Sequence, residues 1–363
     1  MKKKRWIIMG VILLVAIIGV AAAAEYGKYR MSLIPEMSFE EVLNYTTRDN
    51  PDAVITVGVI EDGKADYTVY GENGIVLPKE LHTYEIGSLT KTITASMICK
   101  AVQEGRLELD ASIDQYLELP PDQHYPTIKQ LMTHKSGYKG YYFETPMIQN
   151  FLKGRNDFYG IGDSMVLARL EKTQTADREY DFCYSNFGYA ALGLILEKVY
   201  QTEYTTLMNT YLTEELRLAG SRMSDGAGDF ENYWDWMPGD TYMAAGAVLS
   251  NIEDMLAYAQ MQLDGTHSFD LCHQSLYQID ASSESYKTMG IYMDEVAYAW
   301  MIDTHNEIIW HNGGTGDYNC YLGIQPEKNR AVVVLSNLPP KEKIPATVLG
   351  IKRLTEGAWM KDA

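Results

Sequence analysis

Cysteine is scarce in this 363-residue chain: Cys99, Cys183, Cys272 and Cys320 stand far apart, and no C-x-x-C pair occurs. That excludes a dithiol redox centre of the usual spacing. Four thiols allow two disulfides in three connectivities. However, Cys99 falls in an apolar helical stretch and a chain of this length folds without staples, so buried thiols are expected. Positive charge is also short, with 31 Lys and Arg against 49 Asp and Glu and a net charge of −18. Such a body is repelled by phosphate backbones, and nucleic acid is excluded as a partner. There is no low-complexity tract and no repeat period. Asp303, His305 and His311 are the nearest approach to a metal set, but they lack a recognised ligand spacing, so neither metal nor cofactor is expected. Phe is sparse beside Tyr, 8 against 27.

What is present begins with an address. Lys2, Lys3, Lys4 and Arg5 precede a charge-free run from Trp6 to Ala24. The run just reaches the span of a bilayer core, while Ala21–Ala24 offers a small-residue cleavage site. Residues 1–30 are therefore read as a membrane anchor through 6–24 or as a signal peptide cleaved near Ala24. Either way the remainder is extracytoplasmic.

Beyond the address, the chain reads as one large domain over 31–360. Ser38 with Glu41 forms a capping box that opens a helix to about Arg48. Two strand-like runs, AVITVGVIED and ADYTVYG, meet at Asp62-Gly63, a hairpin signal. From about 106 to 239 the pattern is helical, as in TIKQLMTH, MVLARLEK and FGYAALGLILEKVYQ. Ser250 with Glu253 is read as the cap of a further helix, IEDMLAYAQMQL. Strands return as KTMGIYMD, VAYAWMID, EIIWHNG, YNCYLGIQP and RAVVVLSN, and IPATVLGIKRLTEG closes the chain as a helix with Pro345 at its start. The fold class is α/β in the α+β sense: one antiparallel sheet built from both chain ends (about 38–105 and 240–358), flanked by helices. An all-helical lobe, about 106–239, is inserted in the middle. A site is expected in the cleft between them.

The chemistry centres on EIGSLTKTITASMICKAVQE. Ser88 and Lys91 are three apart at a helix start, so both project from one face of the first turn. Burial lowers a lysine pKa, and a neutral amine beside a serine hydroxyl is a base for a nucleophile. The helix N-terminus adds N–H groups where an oxyanion forms. Ser136–Lys139 repeats S-x-x-K in the Gly-flanked KSGYKG, where no helix fixes the pair. Two stretches supply the remaining types. In YDFCYSNFGYAALG, Tyr184 and Asn186 flank Ser185 before a helix, and two-apart side chains of an extended loop share a face. In EIIWHNGGTGDY, His311 ends an apolar strand, and Gly313 and Gly314 leave backbone open to a ligand.

In this order, S-x-x-K, then Y-x-N, then H-x-G on a late strand resembles the serine β-lactamase and penicillin-binding-protein superfamily, in its class C and DD-carboxypeptidase branch. The likeness extends through GRLELDASIDQYL, TIKQLMTHKSGY, AAGAVLSNIEDMLAYAQ and YLGIQPEKNRAVVVLSN, about 38 to 355. It implies that Ser88 is acylated, that Lys91 accepts its proton, and that Tyr184, its pKa lowered by Lys91 and any charge on His311, shuttles a proton to the leaving group. Asn186 binds the substrate amide. His311, Asn312, Gly313 and Gly314 line the substrate, with the N–H groups of Ser88 and Gly314 as the oxyanion hole. His134 lies in a segment that supports the fold. Asn312 stands where class C enzymes place a Thr that binds a carboxylate. Tyr141, Tyr142, Trp234 and Trp236 fall in loops able to rim the cleft.

The resemblance implies an extracytoplasmic serine hydrolase acting on a D-amino-acid amide or ester, a cell-wall peptide or another small ester, with β-lactams as covalent ligands. The alternatives are an esterase or transesterase of the same fold, and a membrane-anchored penicillin-binding sensor with little turnover.

Overall fold

Asp62 and Gly63 both adopt positive φ, 50° and 74°. That is the pair a tight I′ hairpin requires, and it folds strand β1 (Ile55–Glu61) back onto β2 (Lys64–Tyr70) with Glu61 opposite Lys64. The computed structural model describes residues 18–20, 22, 25–29, 31–340 and 343–356. Residues 1–17, 21, 23, 24 and 30 of the address segment lie outside the described residues, and with them most of the 6–24 run read as an anchor or signal. Among the described residues no helix is long and apolar enough to cross a membrane.

The main sheet has nine strands in the order β3-β2-β1-β12-β11-β10-β9-β8-β7. Its centre is the antiparallel pairing of β1 with β12 (Arg330–Ser336), which joins the two ends of the chain from Ile55 opposite Ser336 to Glu61 opposite Arg330. Beside them lie β11 (Asn319–Gln325) and β10 (Ile308–Gly314), and then the short strands β9 (Met301–Asp303), β8 (Glu295–Val296) and β7 (Tyr277–Gln278). Strand β3 (Val76–Leu77) forms the other edge. The central strands are apolar on both faces because both are covered. Ala331, Val333 and Leu335 belong to one core, while Val332 and Val334 belong to the other.

Helix α1 (Phe39–Thr47) begins at the expected capping box: the Ser38 hydroxyl accepts from the Glu41 N–H and the Glu41 carboxylate from the Ser38 N–H. It packs on one face with the closing helix α12 (Ala346–Thr355), whose N-cap is Pro345. Covering the opposite face is α9 (Ile252–Asp264), set against β1 and β12. Gly58 allows this approach, since a Cβ there would lie 2.8 Å from the Ile252 side chain. The cap of α9 corrects the sequence reading. Asn251, not Ser250, accepts from the Asp254 N–H, because Ser250 is the last residue of strand β6 (Val248–Ser250) and its hydroxyl bonds Ser221. Strand β6 also pairs with β4 (Tyr84–Glu85) and β5 (Arg222–Met223) in a small second sheet that was not foreseen.

On that side lies α2 (Thr90–Gln103), with Thr90 through Cys99 all buried. It packs against α6 (Asn186–Tyr200) and α8 (Met243–Gly246). The intervening helices α3 (Ile128–Met132), α4 (Pro146–Lys153), α5 (Asp163–Lys172) and α7 (Tyr204–Thr210) complete the lobe. Two strand expectations fail. KTMGIYMD is not a strand; its first residues end α11 (Glu284–Thr288), which starts at Ser283 as cap. VAYAWMID is divided between β8 and β9 by a turn in which Ala299 takes a φ of 69°. Cys99 on α2 and Cys272 on α10 (Phe269–Cys272) are free thiols 3.2 Å apart in the core; Cys320 is buried and Cys183 exposed.

Candidate active site

Ser88 sits in a single 3-10 turn, Gly87–Leu89, between strand β4 and helix α2. Gly87 has a φ of 49°, and a Cβ on it would lie 2.6 Å from the Gly314 nitrogen. Conformation and space both demand glycine there, and the result is that the backbone beside Ser88 touches the end of strand β10.

Lys91, one turn on, is fully buried. Its Nζ lies 2.9 Å from Ser88 Oγ and 2.6 Å from the Ala245 carbonyl oxygen. It also faces the rings of Tyr184 and Tyr189, 5.0 and 5.6 Å from their centroids. No carboxylate pairs with it among the described residues. Burial without a counter-ion drives its pKa well below that of a free lysine, which favours the neutral amine over the ammonium.

Tyr184 is half-buried in the extended stretch before α6, and its phenol faces Ser88. The resemblance implied a lowered phenol pKa. The structure corrects this: burial raises it above the ordinary value, and the contact with Ser88 offsets only part of that. The phenol is thus a proton donor at neutral pH. Asn186 is the first residue of α6, one place after the N-cap Ser185, whose hydroxyl accepts from the Gly188 N–H. His134 fixes this stretch. Its Nδ1 accepts from the Ser185 N–H at 3.1 Å, its carbonyl accepts from the Cys183 N–H at 2.9 Å, and its ring tilts against Tyr184 with centroids 4.5 Å apart. Burial keeps it neutral.

His311 on β10 is buried, with ring centroids 6.2 Å from Tyr184. Its Nδ1 bonds the Asn312 carbonyl at 2.5 Å, leaving Nε2 buried without a partner among the described residues. Burial, and then the nearby Lys91, lower its pKa to about 3. The ring is neutral.

Ser88, Asn186 and Gly314 line one cleft with Phe158, Trp234, Trp236, Tyr242, Ala245 and Gly246. Asn312 and Gly313 are not brought to its wall. The Asn312 amide donates to the Thr347 hydroxyl at 3.0 Å, on α12. Gly313 is pressed on the backbone of Ile86, where a Cβ would fall 1.9 Å from the carbonyl oxygen. Ser136 of the second S-x-x-K is buried, and its hydroxyl accepts from the Tyr138 N–H. Of the four aromatic residues named for the rim, Trp234 and Trp236 line the cleft. Tyr141 packs edge-on to Phe158, and Tyr142 to Phe187.

Sequence reasoning missed Phe158, Tyr242 and Glu85. The first two stack at 4.3 Å and 14° but are 84 positions apart, and no local pattern marks them. Glu85 had a signal, a carboxylate in the apolar lead into Ser88. It is buried, accepting from the Thr315 hydroxyl at 2.5 Å and the Trp234 N–H at 2.7 Å. Desolvation outweighs both bonds and raises its pKa to about 7.

The chain is 24% identical over 274 residues to Protein flp of Staphylococcus aureus (strain MW2), covering 70% of this chain; it spans about half the length of that relative, 53%. Among solved structures it resembles a beta-lactamase/D-alanine carboxypeptidase from Yersinia pestis complexed with citrate (TM-score 0.67, 18% identity, 89% of this chain and 97% of that one). It also resembles the octameric penicillin-binding protein homologue from Pyrococcus abyssi (TM-score 0.65, 22% identity, 92% and 76%). Both likenesses are of fold: a large antiparallel sheet flanked by helices, the arrangement expected of the serine β-lactamase and penicillin-binding-protein superfamily. The Beta-lactamase family profile matches residues 48–351, from the end of α1 into α12, and the chain belongs to that family of generally serine hydrolases.

Proposed function

We propose that the protein is an extracytoplasmic serine hydrolase that forms an acyl-enzyme on Ser88. The observation that carries this reading is the 2.9 Å contact between the Ser88 hydroxyl and a buried Lys91 amine without a counter-ion.

In the reaction, Ser88 Oγ bonds to the substrate carbonyl carbon as its proton passes to Lys91 Nζ. The N–H groups of Ser88 and Gly314, at the helix start and the strand end, stabilise the oxyanion. The bond to the leaving group then breaks; the leaving group takes the Tyr184 phenol proton, and the phenolate recovers one from the Lys91 ammonium. Water reverses these steps to release the acid and restore Ser88. Asn186 hydrogen-bonds the amide of the acyl group. The acyl donor is a D-amino-acid amide or ester, as in a cell-wall peptide, or another small ester, and β-lactams are covalent ligands. No cofactor takes part. An anchor or signal in 6–24 delivers the domain outside the cytoplasm.

The esterase reading gains from Asn312. Its amide is engaged by Thr347, so the position that would contact a substrate carboxylate faces the closing helix instead. The test is wild type against Ser88→Ala, mixed with a labelled penicillin and a chromogenic aryl ester. Covalent label and ester turnover in wild type alone support the reading. Turnover that survives Ser88→Ala defeats it, and label without turnover supports a penicillin-binding sensor.

A further inference from the structure

We propose that, among these acyl donors, the cleft favours those with an aromatic or flat apolar acyl group and a leaving group without a carboxylate, so that β-lactams and peptides with a terminal carboxylate are the slower donors. The inference rests on the serine-hydrolase reading above and specifies its substrate.

Two observations carry it. The first is the wall. Phe158, Trp234, Trp236 and Tyr242 make up much of the cleft that holds Ser88 and Asn186. Phe158 and Tyr242 are stacked face to face, while Trp234 and Trp236 meet edge to face with centroids 6.0 Å apart at 63°. Such surfaces are rigid and bind flat apolar groups by area and by ring contact. Tyr184, which serves the leaving group, and His311 are not part of this wall, so the aromatic surface falls to the acyl side.

The second observation concerns charge. No cationic side chain lines the cleft. Lys91 lies beneath it, bonded to Ser88 and Ala245, and its burial disfavours the charged form. On the leaving-group side, His311 is buried and its Nδ1 is satisfied by its own neighbour. The Asn312 amide is turned to α12. Acidic groups stand behind the end of β10, Glu85 bonded to Thr315 and Asp317 acting on it, while Arg155 near the tryptophans is already paired with Asp235. A carboxylate there meets no counter-charge and must shed its water at a cost that nothing repays. The net charge of −18 opposes its approach as well.

The experiment measures kcat/KM for three esters, each divided by its hydroxide-catalysed rate: phenylacetate and acetate esters of 4-nitrophenol, and the phenylacetate ester of 3-carboxy-4-nitrophenol. Salt is held at about 0.3 M to screen long-range repulsion. The expected result is a preference of about tenfold or more for phenylacetyl over acetyl, and of about tenfold or more for the neutral over the carboxylated leaving group. Trp236→Ala lowers the phenylacetyl-to-acetyl ratio by about fivefold or more, and Phe158→Leu lowers it without opening a large cavity. Ser88-dependent turnover that favours acetyl or the carboxylated ester overturns this inference alone. Turnover that persists in Ser88→Ala overturns the serine reading and this inference with it.

Discussion

Glu85 and Thr315 share a hydrogen bond of 2.5 Å that ties the strand leading into Ser88 to the turn that follows Gly314. The other oxygen of the same carboxyl holds the backbone N–H of Trp234. One buried side chain thus spaces the two segments proposed as the oxyanion hole and fixes part of the aromatic wall. Glu85→Ala leaves two donors unpaired. It is expected to lower the acylation rate about tenfold or more, while Glu85→Gln, which keeps an acceptor, costs less. Stopped-flow acylation of the three proteins checks this order.

The same carboxyl gives a pH signature. Its folded pKa of about 7 lies above the ordinary 4.5, so the folded state holds its proton more tightly than the unfolded chain does. The stability it contributes is complete below about 4.5 and is lost as pH rises through about 7. In a melting series at pH 5, 6, 7 and 8, the Tm of wild type relative to Glu85→Gln is expected to fall from pH 5 to about 7 and to level off by pH 8. A flat difference would show that Glu85 is ionised across the range.

Lys91→Arg places a guanidinium that does not deprotonate in a buried space that lacks a counter-ion. Loss of acylation by about 10³-fold is expected, accompanied by loss of stability, and the latter is read independently by thermal melting.

Tyr184→Phe separates leaving groups. Amines need a proton to depart and nitrophenolate does not. The variant is expected to lose about 10²-fold on an amide substrate and under about tenfold on a nitrophenyl ester. Equal losses on both would remove the phenol from the proton path.

Thiol titration tests the packing of the cysteines. Native protein is expected to react at Cys183 alone, the exposed thiol. The adjacent Cys99 and Cys272 thiols are buried, and oxidant is expected to join them, lowering the mass by about 2 Da and raising the Tm.

Legibility followed the range of the interaction. The capping box at Ser38, the hairpin at Asp62-Gly63 and the juxtaposition of Ser88 with Lys91 are set by residues within four positions, and they read directly from the chain. The cap of α9 was off by one because Ser250 and Asn251 are both good caps and the choice was made by strand β6 pairing through Ser250. KTMGIYMD has strand-like composition, but Ser283 offers it a helix start. The protonation of Tyr184 was missed because burial, a property of the whole packing, outweighs the hydroxyl beside it. Phe158 and Tyr242 meet only through the tertiary fold.

The pairing of β1 with β12 has a consequence for the time at which the protein becomes reactive. A ribosome delivers Ser88 and Lys91 more than two hundred residues before it delivers Gly314 and the strand that seats it. Pairing that joins distant parts of a chain forms late. The nascent polypeptide therefore carries Ser88 and Lys91 without the strand end proposed to complete the oxyanion hole. The proposed activity is expected only once the last strands close the sheet.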